Sequence, residues 1–225
     1  MTSARPGHQT APPTDLHGRR PARHLPSVHP DRVRACLDPR LSAAVAQRLA
    51  DSERVGWRVA EIILYRHGLN PAMLDDFYGR AAPASSSEAD IHPLLHCDLE
   101  DCARLAGAAW HARSLKQCVS GKLVADLTAL IGHRTRAFGL RNANLAVCSQ
   151  VVTGAAELAA AINDDGFRCI GALLSSKDWA LRGLVHVRLP PGTPAEAVAF
   201  GDEHVRHAPA IIERALAELQ GTPHA

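Results

Sequence analysis

The stretch from Leu94 to Asn142 constrains the fold more than any other part of the chain. Within it Leu99, Cys102, Ala103, Ala106, Ala109 and Trp110 recur at i, i+3, i+4, i+7, i+10 and i+11, one apolar stripe of an α-helix. Val119, Leu123, Leu127, Leu130 and Ile131 make a second stripe. Ser114 and Gly121 fall between the two, where a helix–helix junction needs a cap donor or a permissive backbone. The spacing predicts a helical hairpin in which Trp110 and the aliphatic stripe bury each other. Hydrophobic residues make up 46% of the chain but aromatics only 4%, so its core must be built from small and aliphatic side chains, which suit close helix packing.

A chain of 225 residues is long enough for one domain of ordinary size. Residues 1–26 are rich in Pro, Arg, His and Gly and nearly devoid of apolar side chains, so a disordered polar leader is expected there, followed by a single helical domain over 27–220. The leader lacks the apolar region of a secretory signal, and Arg19-Arg20 lacks the apolar run of a twin-arginine signal. No run approaches the about 18 apolar residues of a membrane span. Cys36, Cys97, Cys102, Cys118, Cys148 and Cys169 form no CxxC pair and read as reduced cysteines of a cytosolic protein.

Helical readings follow in order: a turn over Asp31–Cys36, Leu41–Ala50, and Glu53–His67 behind an Asp51-Ser52 cap and ended by Gly68. A short helix from Asn70-Pro71 to Tyr78 and a Ser-rich connector over Gly79–Ala89 come next. Beyond the hairpin, Ala137–Val147 continues as helix. Thr153 can cap a further helix that Asp164-Asp165-Gly166 breaks, with Phe167–Leu174 a separate buried segment. Leu184–Leu189 alternates and Pro190-Pro191-Gly192 closes it, which predicts a strand. Thr193-Pro194-Ala195-Glu196 reads as a capping box opening a final helix to about Gln220, with a kink or break near Pro209. The fold class is all-α, mainly helical, with at most a short β element near residues 184–189.

No constellation carries chemistry. His92, His96, Cys97 and Cys102 cluster, but zinc spacing requires a matching second pair that is missing. His204 and His207 share a helix face without a third ligand and read as solvated. No G-x-S-x-G or G-x-G-x-x-G occurs, and Lys116 stands where a P-loop ending in Gly121-Lys122 needs glycine. Asp164 and Asp165 read as a helix stop, and Glu53 and Glu61 lie too far apart on one helix to cooperate. Catalytic, cofactor and metal residues are therefore expected to be absent, leaving an unrecognised enzyme as the remotest alternative. Arg104, Arg113, Lys116, Lys122, Arg134, Arg136 and Arg141 make the hairpin locally basic, so a helical DNA-binding regulator is the first alternative. They spread around both helices and interleave with Asp98, Glu100, Asp101 and Asp126, and the net charge is only +2, which weakens that reading.

Two segments together carry a resemblance. The first runs from Leu105-Ala106-Gly107 through Trp110-His111-Ala112-Arg113-Ser114-Leu115-Lys116-Gln117-Cys118-Val119, then Leu123–Leu127 and Phe138-Gly139-Leu140-Arg141. The second is Trp179-Ala180-Leu181-Arg182-Gly183-Leu184-Val185-His186-Val187-Arg188-Leu189-Pro190, running into Thr193-Pro194. In this order and near this separation they resemble the cytoplasmic accessory protein of bacterial type III secretion systems, the SctK family (HrpD- and YscK-like). The stretch from Leu25-Pro26 to His29-Pro30 is similar to that family's opening, and the resemblance spans roughly residues 25 to 220. It implies a mostly helical, non-enzymatic adaptor that joins the cytoplasmic face of the inner-membrane ring to the sorting platform with its export ATPase. The implied partners are SctQ-like and SctD-like proteins, with no nucleic acid and no cofactor, and the membrane is reached only through partners. An adaptor acts through surfaces, where aromatic and Arg anchors concentrate binding energy. The candidate interface residues are Trp179 with Arg182, and Glu203, Arg206, Glu213 and Arg214 on the exposed side of the final helix.

Overall fold

The computed structural model describes residues 27–70 and 93–221. Ten α-helices run through the described residues: α1 Pro30–Cys36, α2 Ala43–Ala50, α3 Gly56–Arg66, α4 Leu99–Trp110, α5 Ala112–Gln117, α6 Gly121–Ile131, α7 His133–Arg141, α8 Ala155–Ser175, α9 Trp179–His186 and α10 Asp202–Gln220. Short 3₁₀ turns at Pro93–Leu95, Ala143–Leu145 and Pro194–Glu196 fill connections, and no strand occurs among the described residues. The leader 1–26, the expected helix over 71–78 and the connector 79–89 lie outside them.

Helices α4 and α8 form the centre. Asp98 caps α4 by accepting the Asp101 N–H at 2.9 Å. The six residues of the first stripe are all buried. Their chief cover is α8, which lies so close that a methyl on Gly107 would sit 1.7 Å from the Ile162 carbonyl oxygen, and one on Gly166 1.9 Å from that of Ala103. Backbones can approach this far only where each crossing point lacks a Cβ. Around the crossing, Phe138, Ile170, Leu174, Leu181, Val185, Ile211 and Ile212 complete the main core with the stripe of α4.

The expected hairpin is corrected by this arrangement. Leu127 and Ile131 of α6 do not cover Trp110; they join Ala108, Leu115, Leu158 and Ile162 in a second cluster. Val119 and Leu130, assigned to the same stripe, are 85% and 57% exposed. Ser114 caps nothing: inside α5, its hydroxyl accepts the Val152 N–H at 3.2 Å and so pins the loop before α8. Gly132, with φ 83°, turns the chain from α6 into α7, which ends at Arg141 before the 3₁₀ turn.

A third cluster packs Val33, Ile63, Leu64 and Leu69 from the N-terminal region against Ala180, Leu184 and Val187. Gly68, at φ 74°, ends α3 as its position predicts. Buried Arg32 donates to the Leu189 carbonyl at 2.7 Å and pairs with Glu196, tying α1 to the segment after α9.

Three further expectations are overturned. The predicted strand over 184–189 is instead the end of α9 and the turn after it, with Asp178 capping the helix by accepting the Ala180 N–H at 2.7 Å. Alternation misled because α9 is buried on two sides: Val185 enters the main core and Leu184 the N-terminal cluster. Asp164-Asp165-Gly166 does not stop α8, which runs unbroken for 21 residues. The capping box opens only a 3₁₀ turn, because Glu196 accepts the Gly192 N–H at 2.8 Å and the Arg32 guanidinium instead. The last helix starts at Asp202 and continues through Pro209, which sits on its exposed side where water can reach the carbonyl left without a donor.

Candidate functional site

The helix scaffold presents exposed anchors on the outside and, besides the buried Arg32–Glu196 pair, a polar centre within. The N-cap of α9 places Trp179 at its first turn with 46% of its surface exposed. Arg182, one turn on, is occupied: it donates to the carbonyls of Leu174 at 3.3 Å and Ser175 at 3.0 Å, closing the C-terminal end of α8. On α10 the buried stripe of Ala208, Ile211, Ile212, Ala215 and Leu216 turns Glu203, Arg206, Glu213 and Arg214 outward together. Arg214 there donates to Asn142 Oδ1 at 3.0 Å, fixing α10 to the end of α7. The six predicted interface residues therefore form two groups on different helices, and Arg182 and Arg214 also hold the fold together.

A further exposed face was missed. Along α3 the buried side is Val59, Ala60, Ile63 and Leu64, which leaves Trp57 at 41%, Ile62 at 38% and Tyr65 at 56% exposed on the opposite side. Arg58 lies 5.8 Å from the Trp57 ring centroid and pairs with Glu61 along the same face. The sequence signal was present, since two adjacent aliphatic pairs one turn apart already fill the inner stripe. A groove of about 340 Å³ also runs between α4, the α6–α7 junction and the end of α10, with exposed Leu130 on its wall beside Arg104 and Thr135.

The polar centre joins α4, α8 and α10. His111, only 2% exposed at the α4–α5 junction, places Nε2 2.7 Å from Asp165 Oδ2. Arg168 donates to Oδ1 of the same carboxylate at 2.7 Å, and His204 Nε2 lies 3.3 Å from it. The His204 ring stacks on Trp110 with centroids 4.0 Å apart and planes 14° from parallel. Burial pushes the Asp165 carboxyl up, but the contacts from His111, His204 and Arg168 outweigh it and hold it far below the usual carboxylate range. His204 is thus not the solvated residue its pairing with His207 suggested, and Asp165 is not a helix stop. One turn along α8, burial drives the Cys169 thiol strongly upward, so it supplies no thiolate to this centre. What the arrangement can do is clamp three helices to one carboxylate. Among the described residues no group of three His, Cys, Asp or Glu is placed to hold a metal ion, and no helix is long and apolar enough to cross a membrane.

The chain is 36% identical over 176 residues to the nodulation protein NolU of Rhizobium fredii, an alignment covering 76% of this chain and 74% of that protein. The NolU protein of Sinorhizobium fredii matches to the same extent. No family model matches the chain, and no solved structure matches it.

Proposed function

The chain belongs to the family of the NolU nodulation proteins, and from that premise we propose that it serves bacterial type III secretion as a non-enzymatic adaptor of the SctK kind. In this role it links the cytoplasmic face of the inner-membrane ring to the sorting platform, with SctQ-like and SctD-like proteins as partners. What supports the reading is the pair of segments from Leu105 to Arg141 and from Trp179 to Pro194, whose order and separation resemble those of the SctK family. An all-α body with exposed aromatic anchors on α3 and α9 is a physical form suited to docking between larger parts.

The DNA-binding alternative draws less support. Arg104 pairs with Asp101, Lys122 with Asp126, and both Arg134 and Arg141 with Glu218. A duplex gains affinity from uncompensated positive charge, and these carboxylates remove much of it.

The deciding experiment is co-purification of the full chain with the SctQ-like and SctD-like proteins encoded by the same organism. Retention of either at near-stoichiometric yield is the expected result. Retention of neither, together with a salt-dependent shift of duplex DNA, overturns the adaptor reading.

A further inference from the structure

We propose that Cys97 and Cys102 are a redox-active thiol pair, which a hydroperoxide converts into an intrachain disulfide across the first turn of α4. Nothing in this inference depends on the secretion reading. Cys97 directly precedes the cap residue Asp98, and Cys102 is the fourth residue of the helix that Leu99 begins. Side chains at these two positions meet where a capped helix starts, the geometry that a hydrophobic staple uses. Here the two are thiols, and Cys97 packs against the core cluster that contains Cys102. Cys97 is half-buried against the main core, whereas Cys102 is fully enclosed.

Arg188 completes the site. It donates to the Leu94 carbonyl at 2.5 Å and to that of Cys97 at 2.7 Å, which fixes a guanidinium charge at the backbone of the more accessible cysteine. The Cys102 contact, aided by Arg188, holds the Cys97 thiol below its ordinary value against the opposing effect of burial. The same contact and burial hold Cys102 well above its own. Accessibility and charge therefore assign different roles, with Cys97 attacking and Cys102 resolving.

In the first step the Cys97 thiolate attacks one peroxide oxygen and the O–O bond breaks. The departing oxygen leaves as hydroxide or alkoxide and takes up a proton, and Cys97 becomes a sulfenic acid. Cys102 sulfur then attacks Cys97 Sγ, the S–O bond breaks, and the Cys102 proton leaves with the hydroxyl as water. Across both steps the two thiols lose two electrons and two protons, and hydrogen peroxide is reduced to two waters. The product bond would lock the α4 cap in place.

The full-length chain, reduced and then treated with hydrogen peroxide, tests this. Trypsin releases residues 81–104 as one peptide containing Cys97 and Cys102 and no other cysteine. The expected result is a peptide lighter by two hydrogen atoms, restored by dithiothreitol, and formed about tenfold faster than Cys36 or Cys148 is oxidised. Cys102→Ser is expected to stop at a sulfenic acid on Cys97 that dimedone captures. An unchanged peptide while Cys36 or Cys148 oxidises overturns the proposal, as does a disulfide from Cys97 to any cysteine other than Cys102. Should Cys102→Ser fail to fold, the mass of the unsubstituted peptide decides alone.

Discussion

At Asp165 one carboxylate meets the side chains of His111, Arg168 and His204, at 2.7, 2.7 and 3.3 Å. Removing its charge leaves His111, 2% exposed, beside a weaker acceptor, and a lost hydrogen bond to a buried charged group costs about 2 kcal/mol. Asp165→Asn is therefore expected to lower the unfolding free energy by about 2 kcal/mol at neutral pH, read from the urea midpoint. The pH dependence has a definite sign. A carboxyl held below its unfolded value stabilises the fold above the ordinary carboxylate value of about 3.9, and that contribution is lost as pH falls below it. The deficit of Asp165→Asn against the unsubstituted chain should accordingly be full at neutral pH and shrink below about pH 4. A deficit that stays constant to low pH would show that the carboxylate acts by shape alone.

Among the elements, the α4–α8 crossing makes the sharpest demand on sequence. A methyl on Gly107 would meet backbone rather than a yielding side chain, at 1.7 Å from Ile162 O. Gly107→Ala must therefore push two helices apart and is expected to cost about 3 kcal/mol, in the range of overpacked cores. Gly121→Ala is the matched control, since nothing lies within 4 Å of that Cβ position at the start of α6; it should be neutral or stabilise by up to about 1 kcal/mol. Comparing the two urea midpoints checks both. This crossing also explains what could be read from the residues. The stripe of α4 was legible because Leu99, Cys102, Ala103, Ala106, Ala109 and Trp110 are all buried on a local period. Its partner was not, because Gly166 resembles a helix breaker in one dimension and becomes a contact point only when α8 meets α4. The same limit hid α9, where burial on two sides imitates alternation, and the His111–Asp165–His204 centre, whose members are 54 and 39 positions apart. Trp179 could be proposed as an anchor from its residue type, while the face of Trp57 and Tyr65 follows once the adjacent pairs Val59-Ala60 and Ile63-Leu64 are read as the filled side of α3.

For the whole molecule, the question is whether docking anchors can be separated from the forces that hold the fold. Helix α9 serves both cores, with Leu181 and Val185 in the main one and Ala180 and Leu184 in the N-terminal one. Leu184, fully buried, is expected to cost about 3 kcal/mol on substitution by alanine. Because it lies in the N-terminal cluster, amide exchange should rise first in α1–α3 and only later in α4. Trp179 projects from this same helix with 46% of its surface free, so its truncation removes little packing. Arg182 is the contrasting case: it closes α8, and loss of affinity in Arg182→Ala would mix binding with stability. Trp179→Ala, and separately Trp57→Ala with Tyr65→Ala, should therefore leave the unfolding free energy within about 1 kcal/mol of the unsubstituted chain. If the adaptor reading holds, at least one of the two variants weakens binding to the SctQ-like or SctD-like partner about tenfold or more by calorimetry, as the loss of an aromatic anchor does. Unchanged affinity in both would remove α3 and α9 as docking faces and move the search to α10. There Glu203, Arg206 and Glu213 offer charge without an aromatic anchor, a composition that favours orientation and association rate over affinity.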